Sequence, residues 1–371
     1  MKKSFQIMLF VSLMLAMLFT ACAPAAPAAP AAPAAPAAPA APAAPAAPAA
    51  PAATAAPTAA PTAVPAVCDK LANAPTVAAG DLGSPDKPIV MTFVPSGDTG
   101  KITKAGTAIA DCLSKMTGLT FKIEVGTTFG ASIEAMGANK AQVGFLNTFS
   151  VLLAEQKYGV VPVLANLRKY NTIDIDPDKA DAGKLTSYYK GQFIAKKDSG
   201  IKVLTDLKGK TFCFVDPNST SGYIIPRIIF KANGIDPDKD FKASQNAGSH
   251  PNVAVAVYKG DCDAGVTFID VLTDKASNLA AKYPDISDKV AAFAVTDKIP
   301  NDGVQVTKDL DPKIKGAVVD GLTAMAADKG GAAVLASLYT INGFQKIDSS
   351  FYDDFGKLLK AAGVDPATLV K

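Results

Sequence analysis

From residue 89 onward the sequence keeps switching its hydrophobic period, and this restricts the fold more than any other feature. Apolar runs of strand length occur at IVMTFV (89–94), FKIEV (121–125), QVGFL (142–146), VPVLANL (161–167), GQFIAKK (191–197), TFCFV (211–215) and AGVTFI (264–269). Shorter strands are expected near FKASQ (241–245), KVAAFAV (289–295) and VQVTKD (304–309). Between them apolar residues recur every three or four positions, as in Ile102, Ala105, Ile109, Cys112, Leu113 and Met116, which is helical spacing. Helices are likewise expected over 132–140, 149–159, 203–209, 221–234, 251–260, 271–282, 312–328 and 351–362. Such alternation with short connections is the pattern of an α/β protein built on parallel-type sheets.

In such sheets ligands sit beyond the carboxyl ends of the strands. Five turns at that end share a composition: VPSGDTGK (94–101), VGTTFGAS (125–132), FLNTFS (145–150), VDPNSTSGY (215–223) and NAGSHPN (246–252). Each runs from a strand through hydroxyl, amide or glycine residues into a helix start. Helix N-termini carry unpaired N–H groups and about half a positive charge, so several of them meeting in one cleft would hold an anion. Taken singly, each turn is an ordinary helix cap; the inference rests on five occurring at one end of a sheet. The richest turn offers the hydroxyls of Ser219, Thr220 and Ser221, with Gly222 allowing close approach. His250, the sole histidine, sits in another and could donate to an anion oxygen.

The first 67 residues cannot join this core. Lys2 and Lys3 followed by an apolar stretch and the small residues before Cys22 read as an export signal over 1–22, with Cys22 as a lipidation site. Residues 23–67 are almost entirely Ala, Pro and Thr, with proline at every third position from 24 to 51. That composition favours extended polyproline II, a tether that lifts a domain off a membrane. Residues 68–371 remain, enough for two lobes. The chain has 37 basic and 34 acidic side chains, and Lys2 and Lys3 are the only charged ones before Cys68. The folded part is therefore close to neutral, which argues against a nucleic-acid surface and makes any anion site local. Four cysteines remain besides Cys22; their spacing favours Cys68–Cys112 and Cys213–Cys262, with four buried thiols as the alternative. A single histidine excludes a histidine-based zinc cluster, and neither metal nor cofactor is expected. Ser221, His250 and an aspartate could imitate a hydrolase triad, but no G-x-S-x-G elbow is present, and SGDTGKIT lacks the spacing of a phosphate loop. The chain is not expected to be an enzyme.

SYYKGQFIAKKDSGIKVLTDLKGKTFCFVDPNSTSGYIIP, GSHPNVAVAVYKGDCDAGVTF and IPNDGVQVTKDL resemble, in order and spacing, the phosphate, phosphite and phosphonate substrate-binding proteins of ABC importers. The likeness runs over about residues 86–365. It implies a type II periplasmic-binding-protein fold with two hinge crossings, lobe 1 over 68–186 plus 299–371 and lobe 2 over 187–298. It also implies that Ser219, Thr220, Ser221 and His250 hold phosphorus-bound oxygens, and that Asp270 and Asp302 match acidic positions that hold an amino group on the ligand. Phe129 and Phe149 stand where the family often has tyrosine, which removes hydroxyl donors that Thr127, Thr128, Asn147 and Thr148 could replace. The expected function is capture of phosphonate, phosphite or phosphate by a monomeric, lipid-anchored protein that delivers it to an ABC permease. A sulfonate or other small solute on the same fold, or a sensory or adhesive lipoprotein, is the alternative.

Overall fold

A computed structural model describes residues 67–366; the export signal, Cys22 and nearly all of the expected tether lie outside the described residues. The first strands and helices alternate as the hydrophobic period requires: β1 Ile89–Phe93, α1 Thr99–Thr117, β2 Phe121–Val125, α2 Phe129–Gly137, β3 Val143–Leu146, α3 Thr148–Tyr158 and β4 Val161–Lys169. Short strands β5 Leu185–Thr186 and β6 Tyr188–Tyr189 precede β7 Gly191–Lys196, β8 Thr211–Phe214, α4 Ile225–Ala232, α5 Pro237–Asp240, β9 Ala243–Asn246, α6 His250–Lys259 and β10 Ala264–Phe268. Then come α7 Leu279–Lys282, α8 Ile286–Lys289, β11 Val290–Val295, β12 Ile299–Pro300, β13 Gly303–Val306, α9 Pro312–Ala327, α10 Lys329–Tyr339, β14 Gly343–Lys346 and α11 Asp353–Ala361.

Two large sheets result. One runs β14-β4-β13-β3-β1-β2, with β5 on β4; the other runs β11-β7-β10-β8-β9. Parallel pairing holds in β2-β1-β3 and in β9-β8-β10, whereas β13, β4, β14, β7 and β11 pair antiparallel, so both sheets are mixed rather than purely parallel. The reason is that β13 enters the first sheet from the second lobe and so arrives from the opposite direction. The chain crosses between the lobes at β6 and β12, which pair antiparallel as a separate two-stranded ribbon, Ile299 against Tyr189 and Pro300 against Tyr188.

Each lobe has its own apolar centre. Phe93 and Phe145 stack at 4.6 Å in the first, and Phe193, Phe212, Phe214 and Phe230 pack edge-on in the second. A disulfide staples each lobe, Cys68–Cys112 and Cys213–Cys262. The helix expected over 271–282 is not formed; turns occupy most of it and only Leu279–Lys282 is helical. The carboxylate of Asp274 accepts from the N–H groups of Ala276 and Ser277 and from the Ser277 hydroxyl, tying the backbone into a turn where a helix would need those groups. The short helix expected at 203–209 is a 3₁₀ turn over Leu204–Leu207, and α10 and β14 were not anticipated. Among the described residues no helix is long and apolar enough to cross a membrane.

Candidate functional site

The five polar turns follow β1, β2, β3, β8 and β9, and all five reach one cavity between the lobes. Ser96, Phe129 and Asn147 line it from the first lobe; Ser219, Thr220, Ser221 and His250 line it from the second. The cavity is small, about 80 Å³. Ser219, Thr220, Ser221 and His250 are each at most 4% exposed.

Four of the five turns cap the next helical segment, through Asp98, Thr128, Ser219 and Ser249, as well as reaching the cavity; Asn147 makes no side-chain cap bond to α3. Ser219 is the N-cap of a single π-turn, accepting from Gly222 N at 3.2 Å, while its Oγ also lies 3.4 Å from His250 Nε2. Phe268 N donates to His250 Nδ1 at 2.9 Å. That bond requires a lone pair on Nδ1, so the ring's proton is on Nε2 and faces the hydroxyls. Burial, and then the charge of Arg168, pushes the imidazole pKa down to about 3. The site therefore holds a neutral histidine that donates one hydrogen bond.

Thr220 bridges the lobes. Its Oγ1 accepts from Asn147 Nδ2 and from Phe149 N, both at 2.9 Å, which leaves its own hydrogen to donate. Further bonds cross the cleft: Asn171 Nδ2 donates to Asp270 at 2.7 Å, Thr340 Oγ1 donates to Asp274 at 2.6 Å, His250 N donates to Ser96 O at 3.2 Å, and Lys282 pairs with Asp98 at 2.6 Å. The two lobes thus meet around the cavity.

Four expected site residues stand elsewhere. Thr128 caps α2 through Ala131 N and is absent from the wall. Thr148 Oγ1 is used by the carbonyl of Pro300 at 2.7 Å. Phe149 is buried in the first lobe's core and only its N–H turns to Thr220. Gly222 is a packing glycine: a Cβ there would lie 2.3 Å from Val215 Cγ2, so its small size serves the turn's closure onto β8 rather than a ligand's approach. Phe129, Asn147, Asp270 and Asp302 do line the cavity. Asp302, however, is paired: Arg168 Nη2 lies 2.8 and 3.0 Å from its two oxygens. Asp270 has a left-handed backbone, φ 63°, and burial followed by the nearby Asp274 raises its pKa to about 7.

Sequence reasoning missed Arg168, Tyr189, Asn171, Asp274 and Tyr339, which also line the cavity. Arg168 is the penultimate residue of β4, just after its buried run and beside the exposed Lys169. Its guanidinium lies over the Tyr189 ring, 5.7 Å from the centroid. Burial, reinforced by the nearby Asp302, pushes the Tyr189 hydroxyl up to about 12. Arg168 Nε, Asn147 Oδ1 and Asp302 Oδ1 are buried without a hydrogen-bond partner in the protein, Asp302 Oδ1 being held only at ion-pair distance from Arg168.

The chain is 26% identical over 193 residues to the phosphate-import protein PhnD of Mycolicibacterium smegmatis, covering 50% of this chain and 56% of that one. It is 33% identical over 140 residues to the phosphonates-binding periplasmic protein of Escherichia coli K12, covering 36% of this chain and 39% of that one. The aligned parts thus span about half or less of these curated relatives. Among solved structures, the binding-protein component of an ABC phosphonate transporter from Pseudomonas aeruginosa superposes with a TM-score of 0.64 at 22% identity, over 74% of this chain and 86% of that one. PhnD1 of Prochlorococcus marinus, solved with methylphosphonate, superposes with a TM-score of 0.60 at 18% identity, over 74% and 98%. These establish the type II periplasmic-binding-protein fold. The family model described as "ABC transporter, phosphonate, periplasmic substrate-binding protein" matches residues 91–352, and the chain belongs to that family.

Proposed function

We propose that this chain is an extracytoplasmic, lipid-anchored solute-binding protein that captures a small phosphorus oxyanion or organophosphonate and delivers it to an ABC permease. The observation that carries this reading is the convergence of Ser219, Thr220, Ser221 and neutral His250 from one lobe with Ser96 and Asn147 from the other on one small cavity. Hydrogen bonds to a charged group contribute about 1.5–3 kcal/mol each, so three or four are enough for micromolar binding after the costs of desolvation and ordering. Neutral donors suit an anion whose own protonation varies with pH, because none of them has to titrate. The chemistry is reversible binding: closing the lobes replaces the anion's water by fixed dipoles.

The anchor would be a lipid on Cys22 after removal of residues 1–21, with the proline-rich segment as tether and the folded part acting as a monomer. The test is calorimetry of the purified protein against phosphate, phosphite, methylphosphonate, sulfate and methanesulfonate. A phosphorus ligand should bind and weaken by at least about tenfold in Ser221→Ala and in His250→Ala, the loss of about one charged hydrogen bond each. Binding only of the sulfur anions would overturn the assignment. Mass spectrometry of the membrane-bound protein, wild type against Cys22→Ala, tests the anchor.

A further inference from the structure

We propose that Arg168 is a specificity-determining residue: by occupying Asp302 it withdraws a cavity carboxylate from ligand recognition, so the ligand is a compact phosphorus oxyanion without an ammonium substituent. This rests on the phosphorus-anion reading above. Arg168 lies near the end of β4 and Asp302 follows β12, and Asn166 N of β4 donates to Asp302 O at 2.8 Å, so both sit on the first lobe. Arg168 Nη2 alone reaches both oxygens, donating to Oδ2 at 3.0 Å and lying 2.8 Å from Oδ1, which forms no hydrogen bond; the side-chain exposures are 19% and 14%. Both side chains are largely buried, and their opposite charges balance each other there, although the pair's hydrogen bonding is incomplete. A ligand ammonium reaching Asp302 would have to displace a planar guanidinium that is also stacked over Tyr189.

The other carboxylate positions offer little compensation. Asp274 already accepts from Ala276 N, Ser277 N, Ser277 Oγ and Thr340 Oγ1. Asp270 is held across the cleft by Asn171 Nδ2 at 2.7 Å. Arg168 also keeps a buried Nε–H without a protein partner, so the residue that cancels Asp302 still has a donor for an anion.

Calorimetry at pH 7 with methylphosphonate and 2-aminoethylphosphonate tests this. Wild type should bind methylphosphonate at least as tightly as its amino analogue. Arg168→Met frees Asp302 and should shift the affinity ratio toward 2-aminoethylphosphonate by about tenfold or more, the worth of one ion contact of about 1.4 kcal/mol. The double variant Arg168→Met/Asp302→Asn should lose that gain. A wild type that prefers the amino analogue by about tenfold, or an Arg168→Met protein with an unchanged ratio, overturns the inference. The wild-type comparison stands even if the methionine variant does not fold. Failure of phosphate and phosphite as well as both phosphonates to bind wild type would instead remove the phosphorus reading itself, and the inference with it.

Discussion

His250 gives a sharp test of the site because it is the sole histidine in the chain, so its signals need no assignment. Its ring is 4% exposed, accepts from Phe268 N through Nδ1, and has its pKa pushed from 6.5 down to about 3. Unfolded, the imidazole takes a proton near pH 6.5; folded, it does not until about pH 3. Between those values the unfolded state binds more protons, so stability falls as pH falls, by up to about 1.4 kcal/mol per pH unit. At pH 5 the accumulated loss from this one group is about 2 kcal/mol. Asp270 acts in the opposite sense: its pKa is raised to about 7, so its contribution is present at acid pH and lost as pH rises through 7. The wild-type curve therefore mixes the two, and the informative quantity is the difference from His250→Gln. Urea unfolding of both proteins at pH 7.5 and at pH 5 should show wild type losing about 2 kcal/mol more than the variant. Nitrogen-15 spectra of the imidazole should show the Nε2–H tautomer with no titration between these two pH values. A midpoint near 6.5, or parallel stability curves, would refute the neutral-donor reasoning.

Three other perturbations have defined outcomes. Gly222→Ala places a Cβ 2.3 Å from Val215 Cγ2; chemical denaturation should show a loss of about 1–3 kcal/mol from overpacking, and an unchanged midpoint would contradict the packing role. Thr220→Val removes the acceptor for Asn147 Nδ2 and Phe149 N; the expected cost is about 1–3 kcal/mol, with a larger radius of gyration by small-angle scattering as the lobes separate. Replacing Cys213 and Cys262 by serine opens a disulfide that spans 49 residues; thermal unfolding should report about 2–4 kcal/mol of destabilisation, and an unaffected melting temperature under non-reducing conditions would argue against the bond.

The sequence was most readable where local physics decides the outcome. The runs at 89–94, 121–125 and 211–215 became β1, β2 and β8 because their apolar residues can only be buried in a sheet flanked by helices. The helices that follow begin at the hydroxyl-rich turns because those side chains satisfy free N–H groups. The helical period over 271–282 misled, because Asp274 binds the backbone two and three residues on and stops the helix before it starts. Arg168 was passed over for a related reason: nothing near it in sequence tells which partner it meets, and Asp302 lies 134 residues away.

By itself, the order of residues determined the α/β alternation, the placement of polar turns at one end of the strands, and the unsuitability of the proline-rich segment for a core. These are short-range consequences of side-chain period, capping and backbone restriction. Tertiary structure alone decided which of those turns face the cavity, that Thr220 serves as an interlobe acceptor, that Gly222 answers to Val215, and that Asp302 is spoken for by Arg168. Such outcomes depend on distances between groups remote in the chain, and hydrogen bonding, desolvation and charge pairing take effect only once folding has set those distances.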